Sequence, residues 1–124
     1  MTPSKIHLHK ASRELELGYE DGSVRLSCEF LRVHSPSAEV KGHGPGQEVL
    51  QVGKKNVAIT DIKPVGHYAL QLIFDDGHDS GIYSWTYLRE LADNHDSLWQ
   101  TYLDRLHAAG ATRDPDAQVL HFDP

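Results

Sequence analysis

The chain has 124 residues and a formal net charge of −6 at pH 7, which fits one modest domain and argues against a broad nucleic-acid-binding surface. No apolar run approaches the roughly 20 residues of a membrane-spanning helix, and the N-terminal residues lack the apolar stretch of a signal peptide. The single cysteine, Cys28, excludes an internal disulfide framework. We therefore predict one cytoplasmic domain over residues 1–124, with its core at 14–110, a polar tail at 111–124, and neither a nucleic-acid nor a membrane partner.

The first part of the core predicts a β-hairpin. Apolar and polar residues alternate from Leu15 to Tyr19 and again from Val24 to Phe30, as is typical of half-buried strands. The Asp21-Gly22 pair between these runs favours a tight two-residue turn. Because Cys28 alternates inward on the second strand, we expect a small core residue there rather than a nucleophile. A loop rich in glycine, proline, serine and histidine follows at residues 34–47.

Three further strands are predicted in the middle of the chain, at residues 48–52, 57–63 and 68–74. The last of them is almost continuously apolar, which indicates a central strand. Pro64-Val65-Gly66 is expected to break the chain between the second and third of these strands, and Asp76-Gly77 to turn it afterwards.

From Ser84 onwards the apolar residues recur at three- and four-residue steps, which is the period of one helix face. We predict helices at 84–92 and 96–109, divided by Asn and Asp residues that prefer helix caps, with Gly110 ending the second. Val119–Phe122 is expected to be either a short edge strand or disordered. The order of elements predicts an α+β fold, in which a small, mostly antiparallel sheet packs on one face against two C-terminal helices.

Common catalytic motifs are missing from the sequence. The glycine-rich residues 42–46 lack the Lys-Ser/Thr ending of a phosphate-binding loop, and Pro45 removes a backbone donor. There is no Gly-x-Ser-x-Gly and no Cys-x-x-Cys segment. The only His-x-Asp segment, His121-Phe122-Asp123, has no histidine after it, so a complete non-haem iron triad is not expected there.

The chain contains nine histidines, a high count for its length. His7 and His9 lie in a segment of weak pattern and are expected to be solvated. His34, His43 and His78 are more informative, because the loop and the Asp76-Gly77 turn could meet above the sheet. Imidazoles gathered there would bind a divalent metal such as zinc or iron. The alternative is that each of them is a surface residue or a hydrogen-bonded core residue.

A series of motifs occurs in a fixed order along the chain: Asp21-Gly22-Ser23-Val24, Phe30-Leu31-Arg32, Pro64-Val65-Gly66-His67-Tyr68-Ala69-Leu70, Asp76-Gly77-His78-Asp79-Ser80-Gly81-Ile82-Tyr83 and Trp85-x-Tyr87-Leu88. Together they resemble the gamma-butyrobetaine hydroxylase-like N-terminal domain family, formerly a domain of unknown function. The resemblance covers roughly Glu14 to Gly110. In the carnitine-pathway dioxygenases a similar domain precedes a separate catalytic domain, so the resemblance implies no oxygenase chemistry for this one.

The resemblance also implies a structural zinc ion held by three cysteines and one histidine. The corresponding positions of this chain carry Ser35, Ser37, Val40 and His78, so one ligand of four is kept. Since a neutral hydroxyl is a poor zinc ligand compared with a thiolate, we expect the zinc site to be lost. No cofactor is expected, and weakly bound zinc or iron is the alternative.

Four motif residues are expected to hold the fold together: Arg32, Gly77, Tyr83 and Trp85. Arg32 would pair with Asp75 or Asp79, and His78 would lock the turn ahead of the helix. Tyr83 and Trp85 would anchor that helix to the sheet.

Three functions remain open. The favoured one is a stand-alone, non-catalytic binding or interaction domain with an unknown protein partner. The second is a metal-binding accessory protein using His78 with His34, His43 or Glu39. Similar domains are joined to P-loop ATPases that carry iron–sulfur clusters, so the resemblance allows a partner in iron–sulfur assembly, although one cysteine cannot supply the ligands of a cluster.

The third is a small enzyme using His78, which Asp76 and Asp79 flank. A carboxylate neighbour raises the basicity of an imidazole. No nucleophile or set of oxyanion donors accompanies it in the sequence, so no reaction class is predicted.

Overall fold

The computed structural model describes residues 1–116 and shows an α+β fold, which confirms the predicted class. Six strands of the described residues form two antiparallel sheets, where the sequence predicted one, and each sheet follows the order of the chain. The first sheet contains β1 (Lys5–His9), β2 (Glu14–Tyr19) and β3 (Gly22–Ser27). The second contains β4 (Ile59–Val65), β5 (Ala69–Phe74) and β6 (Gly81–Ser84).

Helix α1 (Cys28–Val33) replaces the last part of the predicted second strand, which was wrong beyond Ser27. The Ser27 hydroxyl accepts a hydrogen bond from the backbone N–H of Phe30 at 3.0 Å and so caps the helix. Cys28 is buried, as expected, but it lies on this helix and not on a strand. A short helix, α2 (Ala38–Lys41), follows within the predicted loop.

The predicted strand at 48–52 does not form. The backbone N–H groups of Gly53 and Lys55 donate to the carbonyls of Thr112 and Arg113, at 3.0 Å each. Residues 53–55 therefore run beside the segment that follows the last helix, whereas Val49, within the predicted strand, donates to the carbonyl of Val40 at 2.8 Å.

The expected break at Pro64 is also shifted. Strand β4 continues through Pro64 to Val65, and the turn begins at Gly66, whose φ is 53°. Because β4 is an edge strand of the described sheet, the missing N–H of proline costs no ladder hydrogen bond on its open side.

The C-terminal helices lie close to their predicted positions, as α3 (Trp85–Asp93) and α4 (His95–Ala108). The Ser84 hydroxyl caps α3 by accepting from the N–H of Tyr87 at 3.0 Å. Gly110 follows α4 with a φ of 63°, a conformation that glycine adopts without strain. The predictions for Val119–Phe122 and for His121–Asp123 lie outside the described residues.

Both sheets contribute to one hydrophobic core. Its buried members come from the inner faces of the strands and from α1 and α3, among them Leu15, Leu17, Leu26, Phe30, Leu31, Leu72, Phe74, Tyr83, Leu88 and Leu91. Phe30 and Leu31 of α1 share this core with Phe74 and Tyr83, which lie on the two strands that the β5–β6 turn joins. Of the helices in residues 1–116, none is long and apolar enough to cross a membrane.

Candidate functional site

The loop after α1 and the turn between β5 and β6 meet at a buried hydrogen bond. The Ser35 hydroxyl lies 2.8 Å from Nε2 of His78, and the two residues are 0% and 4% exposed. We call the group Ser35, Ser37, Glu39, His78 and Ser80 the polar clasp. It joins two parts of the chain that are more than forty residues apart in sequence.

The remaining members of the clasp complete the environment of His78. Its Nδ1 lies 3.1 Å from Oε2 of Glu39, and the Ser80 hydroxyl donates to the other carboxylate oxygen at 3.3 Å. Ser37 and Ser80 share a hydrogen bond of 2.8 Å between their hydroxyls. Since an ionised carboxylate only accepts, Nδ1 carries the proton, and in the neutral ring Nε2 accepts from the Ser35 hydroxyl. Both ring nitrogens are thus engaged.

Local structure explains how these side chains converge. Ser37 caps α2, because its hydroxyl accepts a hydrogen bond from the backbone N–H of Glu39 at 3.3 Å. This bond fixes the backbone of Glu39, and with it the position from which the Glu39 side chain extends. Gly77 turns the chain ahead of His78 with a φ of 89°. Gly81 is required for a different reason, since a Cβ there would lie 2.7 Å from the Ser35 hydroxyl oxygen.

Beneath the clasp, the buried Arg32 shares the partly exposed Asp76 carboxylate with Lys54. Oδ2 of Asp76 accepts from Nε of Arg32 at 2.8 Å and from Nζ of Lys54 at 2.6 Å. Oδ1 of Asp76 accepts from the backbone N–H of His78 at 3.1 Å, which ties the charges to the clasp. Arg32 therefore pairs with Asp76, and the expected pairing with Asp75 or Asp79 was wrong. Asp75 instead accepts from the N–H of Ala58 at 3.1 Å.

The protonation states follow from this environment. Burial lowers the pKa of His78, and the nearby positive charge of Arg32 lowers it further. Burial alone would raise the pKa of Asp76, but hydrogen bonds from Lys54, from the His78 backbone and from Arg32 hold it below its usual value. At neutral pH the imidazole of His78 in the clasp is therefore neutral, and the carboxylate of Asp76 beneath it is ionised.

Three aromatic residues attach α3 to its surroundings. The Tyr83 hydroxyl donates to the carbonyl of Leu31 and the Tyr87 hydroxyl to that of His34. Nε1 of Trp85 donates to the carbonyl of His67 at 2.7 Å. These bonds hold the start of α3 against α1 and against the turn between β4 and β5.

The zinc-ligand set implied by the resemblance does not fit these residues. Val40 has no donor atom, and Ser35 and Ser37 offer neutral hydroxyls that already make hydrogen bonds. The one ligand of ordinary zinc chemistry, Nε2 of His78, is bonded to Ser35. A hydrogen-bonded network occupies the place where the resemblance implies a metal.

The other histidines expected near this site lie apart from it. Nδ1 of His34 bonds to the carbonyl of Phe30 at 2.8 Å, and its ring packs on the Phe30 ring at 4.5 Å. Burial lowers the pKa of His34, while His43 is exposed in the loop. Within residues 1–116, the structure does not gather His34, His43 and His78 into a group with ligand atoms at metal-binding distances.

A different group of potential ligands, which was not predicted from the sequence, does come together on the first sheet. His7, His9 and Glu16 place their ligand atoms within 4.8 Å of one another. The signal was present, because His7 and His9 alternate with Ile6 and Leu8, the period of a half-buried strand. What could not be read from the sequence was the register that puts Glu16 opposite His7.

Comparison with known proteins agrees with the motifs. None of the curated proteins matches the chain significantly. A protein solved in solution by NMR is 55% identical with a TM-score of 0.83, and the match covers 99% of this chain and 98% of that one. A second NMR structure is 53% identical with a TM-score of 0.78, covering 92% and 86%.

A crystal structure from Acidithiobacillus ferrooxidans ATCC 23270, of a DUF971-family protein with unknown function, is 40% identical. It has a TM-score of 0.61, and the match covers 73% of this chain and 92% of that one. The family model described as gamma-butyrobetaine hydroxylase-like, N-terminal, matches residues 6–89. The chain therefore belongs to the gamma-butyrobetaine hydroxylase-like N-terminal domain family.

Proposed function

We propose that this chain is a non-catalytic binding or interaction domain, in which the polar clasp replaces the zinc ion that the resemblance implies. One observation carries the proposal: both ring nitrogens of His78 are bonded to protein groups, Ser35 on one side and Glu39 on the other. A histidine in that position links two segments of the chain. It has no free nitrogen for a substrate or a metal.

The enzyme alternative has little support from the groups that would carry it. His78 is 4% exposed, and burial lowers its pKa so that it stays neutral. Cys28 is 1% exposed, and burial raises the pKa of its thiol, which disfavours the thiolate that a nucleophile needs. Asp76 is engaged by Arg32 and Lys54.

The metal-binding alternative at the clasp has a definite energetic obstacle. A zinc or iron ion at His78 would have to displace the buried hydroxyl of Ser35, whose oxygen also accepts from the N–H of Ser37 at 3.3 Å. Buried polar groups that lose their partners cost about 1–3 kcal/mol each. Any zinc or iron bound at the clasp would accordingly be weakly bound.

The partner and the location are part of the same proposal. We propose a protein partner, for which the iron–sulfur assembly machinery is a candidate through the family resemblance, and we propose neither nucleic acid nor a membrane surface. The net charge of −6 supports the exclusion of nucleic acid. A cytoplasmic location is proposed because the single cysteine is typical of reducing compartments.

The experiment compares stability and metal binding in His78→Ala. We expect the variant to lose about 2 kcal/mol of unfolding free energy, because Ser35 and Glu39 lose a buried partner, and to bind zinc or iron no differently from the parent chain. Urea unfolding and calorimetric titration measure the two effects. His43→Ala, which removes an exposed loop histidine, is the matched control. A His78→Ala chain that unfolds like the parent but loses a bound metal contradicts the proposal.

A further inference from the structure

We propose that His7, His9 and Glu16 form a binding site for a divalent transition-metal ion such as Zn²⁺ on the outer face of the first sheet. Their ligand atoms all lie within 4.8 Å of one another. Among residues 1–116 no other group of three or more His, Cys, Asp and Glu residues meets this distance. We call these three residues the histidine cluster. The proposal does not depend on the function assigned to the polar clasp.

The sheet itself creates the arrangement. His7 and His9 are two residues apart on β1, so their side chains leave the same face of the strand. His7 pairs directly with Glu16 on the neighbouring strand β2. Side chains of directly opposed residues start about 5 Å apart at Cβ. The three groups are therefore positioned by backbone hydrogen bonds.

The types of ligand select the class of ion. Two imidazoles and one carboxylate suit zinc and its late first-row neighbours, whereas magnesium and calcium prefer sites made of oxygen atoms. Three protein ligands leave a fourth tetrahedral position, which water would fill. The position of His7 on an edge strand, with an exposed side chain, gives the ion direct access from solvent.

The carboxylate of Glu16 already interacts with positively charged groups. Oε1 of Glu16 lies 2.7 Å from Nε2 of His9, so the carboxylate already contacts one of the other proposed ligands. Lys5 Nζ lies 3.6 Å and Arg25 3.8 Å from its oxygens. These two cations hold the carboxylate in place and also compete with a metal for it.

Only side chains need to move for an ion to bind. The His7 and His9 rings are stacked with centroids 4.0 Å apart. A tetrahedral zinc ion with bonds of about 2.0–2.1 Å needs ligand atoms about 3.3 Å apart. Rotation of the imidazoles reaches this spacing from distances of at most 4.8 Å. The backbone ladder of β1 and β2 remains as it is.

The test is calorimetric titration of the full chain with Zn²⁺. We expect one equivalent to bind, and His7→Ala and Glu16→Gln each to weaken binding by at least about tenfold. His7→Ala is the cleaner variant, because its exposed ring can be removed while the His9–Glu16 hydrogen bond remains. His43→Ala, the control, is expected to bind like the parent chain, and Mg²⁺ to give no heat.

A second variant tests whether a neighbouring cation competes with zinc for the carboxylate of Glu16. Lys5→Met removes a cation that competes for Glu16, so its zinc affinity is expected to exceed that of the parent chain. Circular dichroism melting of each variant establishes that it is folded. The proposal is overturned by a parent chain that binds no Zn²⁺. It is equally overturned by binding that survives His7→Ala, or by binding that disappears in His43→Ala.

Discussion

The polar clasp and the histidine cluster both contain histidine and glutamate, yet they present these groups in opposite ways. In the clasp, His78 is buried and both of its nitrogens are bonded within the protein. In the cluster, His7 is exposed, shares its strand with His9 and lies opposite Glu16 on the neighbouring strand. The clasp stands where the family resemblance implies a metal ion, and the cluster stands where it implies nothing.

This difference shows that a family position alone does not make a histidine a ligand. A metal must displace the hydrogen bonds that its ligand atoms already make, and this costs most where those groups are buried. At the clasp, Ser35 occupies the lone pair of His78, and the Arg32 charge lies nearby. At the cluster, the carboxylate of Glu16 supplies negative charge beside two imidazoles.

The largest expected change would convert the clasp into a metal site. In the triple variant Ser35→Cys, Ser37→Cys and Val40→Cys, three thiolates would join His78, whose Nδ1 is already held by Glu39 in the way that carboxylates orient metal-bound histidines. We expect zinc binding worth on the order of 10 kcal/mol. Competition titration with a chelator, under reducing conditions, measures it.

The control for this variant adds His78→Gln to the three cysteines. It keeps the thiolates and removes the fourth ligand, so its zinc affinity is expected to fall well below that of the triple variant. If the triple variant binds zinc no more tightly than the parent chain, the correspondence between the clasp and the family's zinc site is wrong.

The next largest effect is the loss of stability when a carboxylate is removed from the ion pairs of each region. Asp76→Ala leaves Arg32, whose side chain is 8% exposed, without its carboxylate. We expect a loss of about 3 kcal/mol, at the lower end for a broken buried pair because Asp76 is itself 20% exposed. Glu16→Ala removes the carboxylate of the cluster, and a much smaller loss is expected. Equal losses in urea unfolding would contradict the contrast between Arg32, which Asp76→Ala leaves buried and without its carboxylate, and the exposed cations beside Glu16.

The sequence predicted the fold class and most elements because their causes are local. The β2–β3 hairpin follows from alternation around Asp21-Gly22, and the C-terminal helices from their period and from polar residues at their junction. The two errors have different reasons. The alternation of Cys28 and Phe30 suits a strand until Ser27 caps a helix, and residues 48–52 lack a partner strand in the described structure, which no local pattern reveals.

The site was predicted in part for similar reasons. The resemblance placed Ser35 and His78 in one region, and the structure joins them at 2.8 Å. Asp75 or Asp79 was predicted as the partner of Arg32, whereas Asp76 is the partner. The sequence does not show which of several aspartates in one turn directs its side chain towards Arg32. The histidine cluster needed the pairing of β1 with β2, a non-local fact.

A smaller effect tests how closely the clasp is packed. In Gly81→Ala, the new methyl group would lie 2.7 Å from the Ser35 hydroxyl oxygen and 2.9 Å from the Tyr83 ring. We expect a loss of about 2 kcal/mol in urea unfolding, as is usual for overpacking. Gly44→Ala, which places its methyl group in open space, is the matched control. A Gly81→Ala chain as stable as that control would show that the clasp rearranges easily.

The smallest effect is the dependence of stability on pH, which separates buried from exposed histidines. Burial lowers the pKa values of His78 and His34 in the folded chain. The unfolded chain therefore binds more protons as the pH falls below about 6.5, the ordinary value for imidazole. The stabilisation that their neutral forms provide is complete above that pH and is lost as the pH falls through the lower folded-state values.

As the pH falls from about 6.5 towards the folded-state pKa values, we expect each of these imidazoles to lower the unfolding free energy by up to about 1.4 kcal/mol per pH unit. Urea unfolding at a series of pH values, with a chelator present so that no metal contributes, measures the slope. His78→Gln is expected to reduce the slope, because the residue no longer titrates, while His43→Gln should retain it. An unchanged slope in His78→Gln would mean that His78 is not held neutral by its burial, and the clasp would then lose its distinction from the exposed cluster.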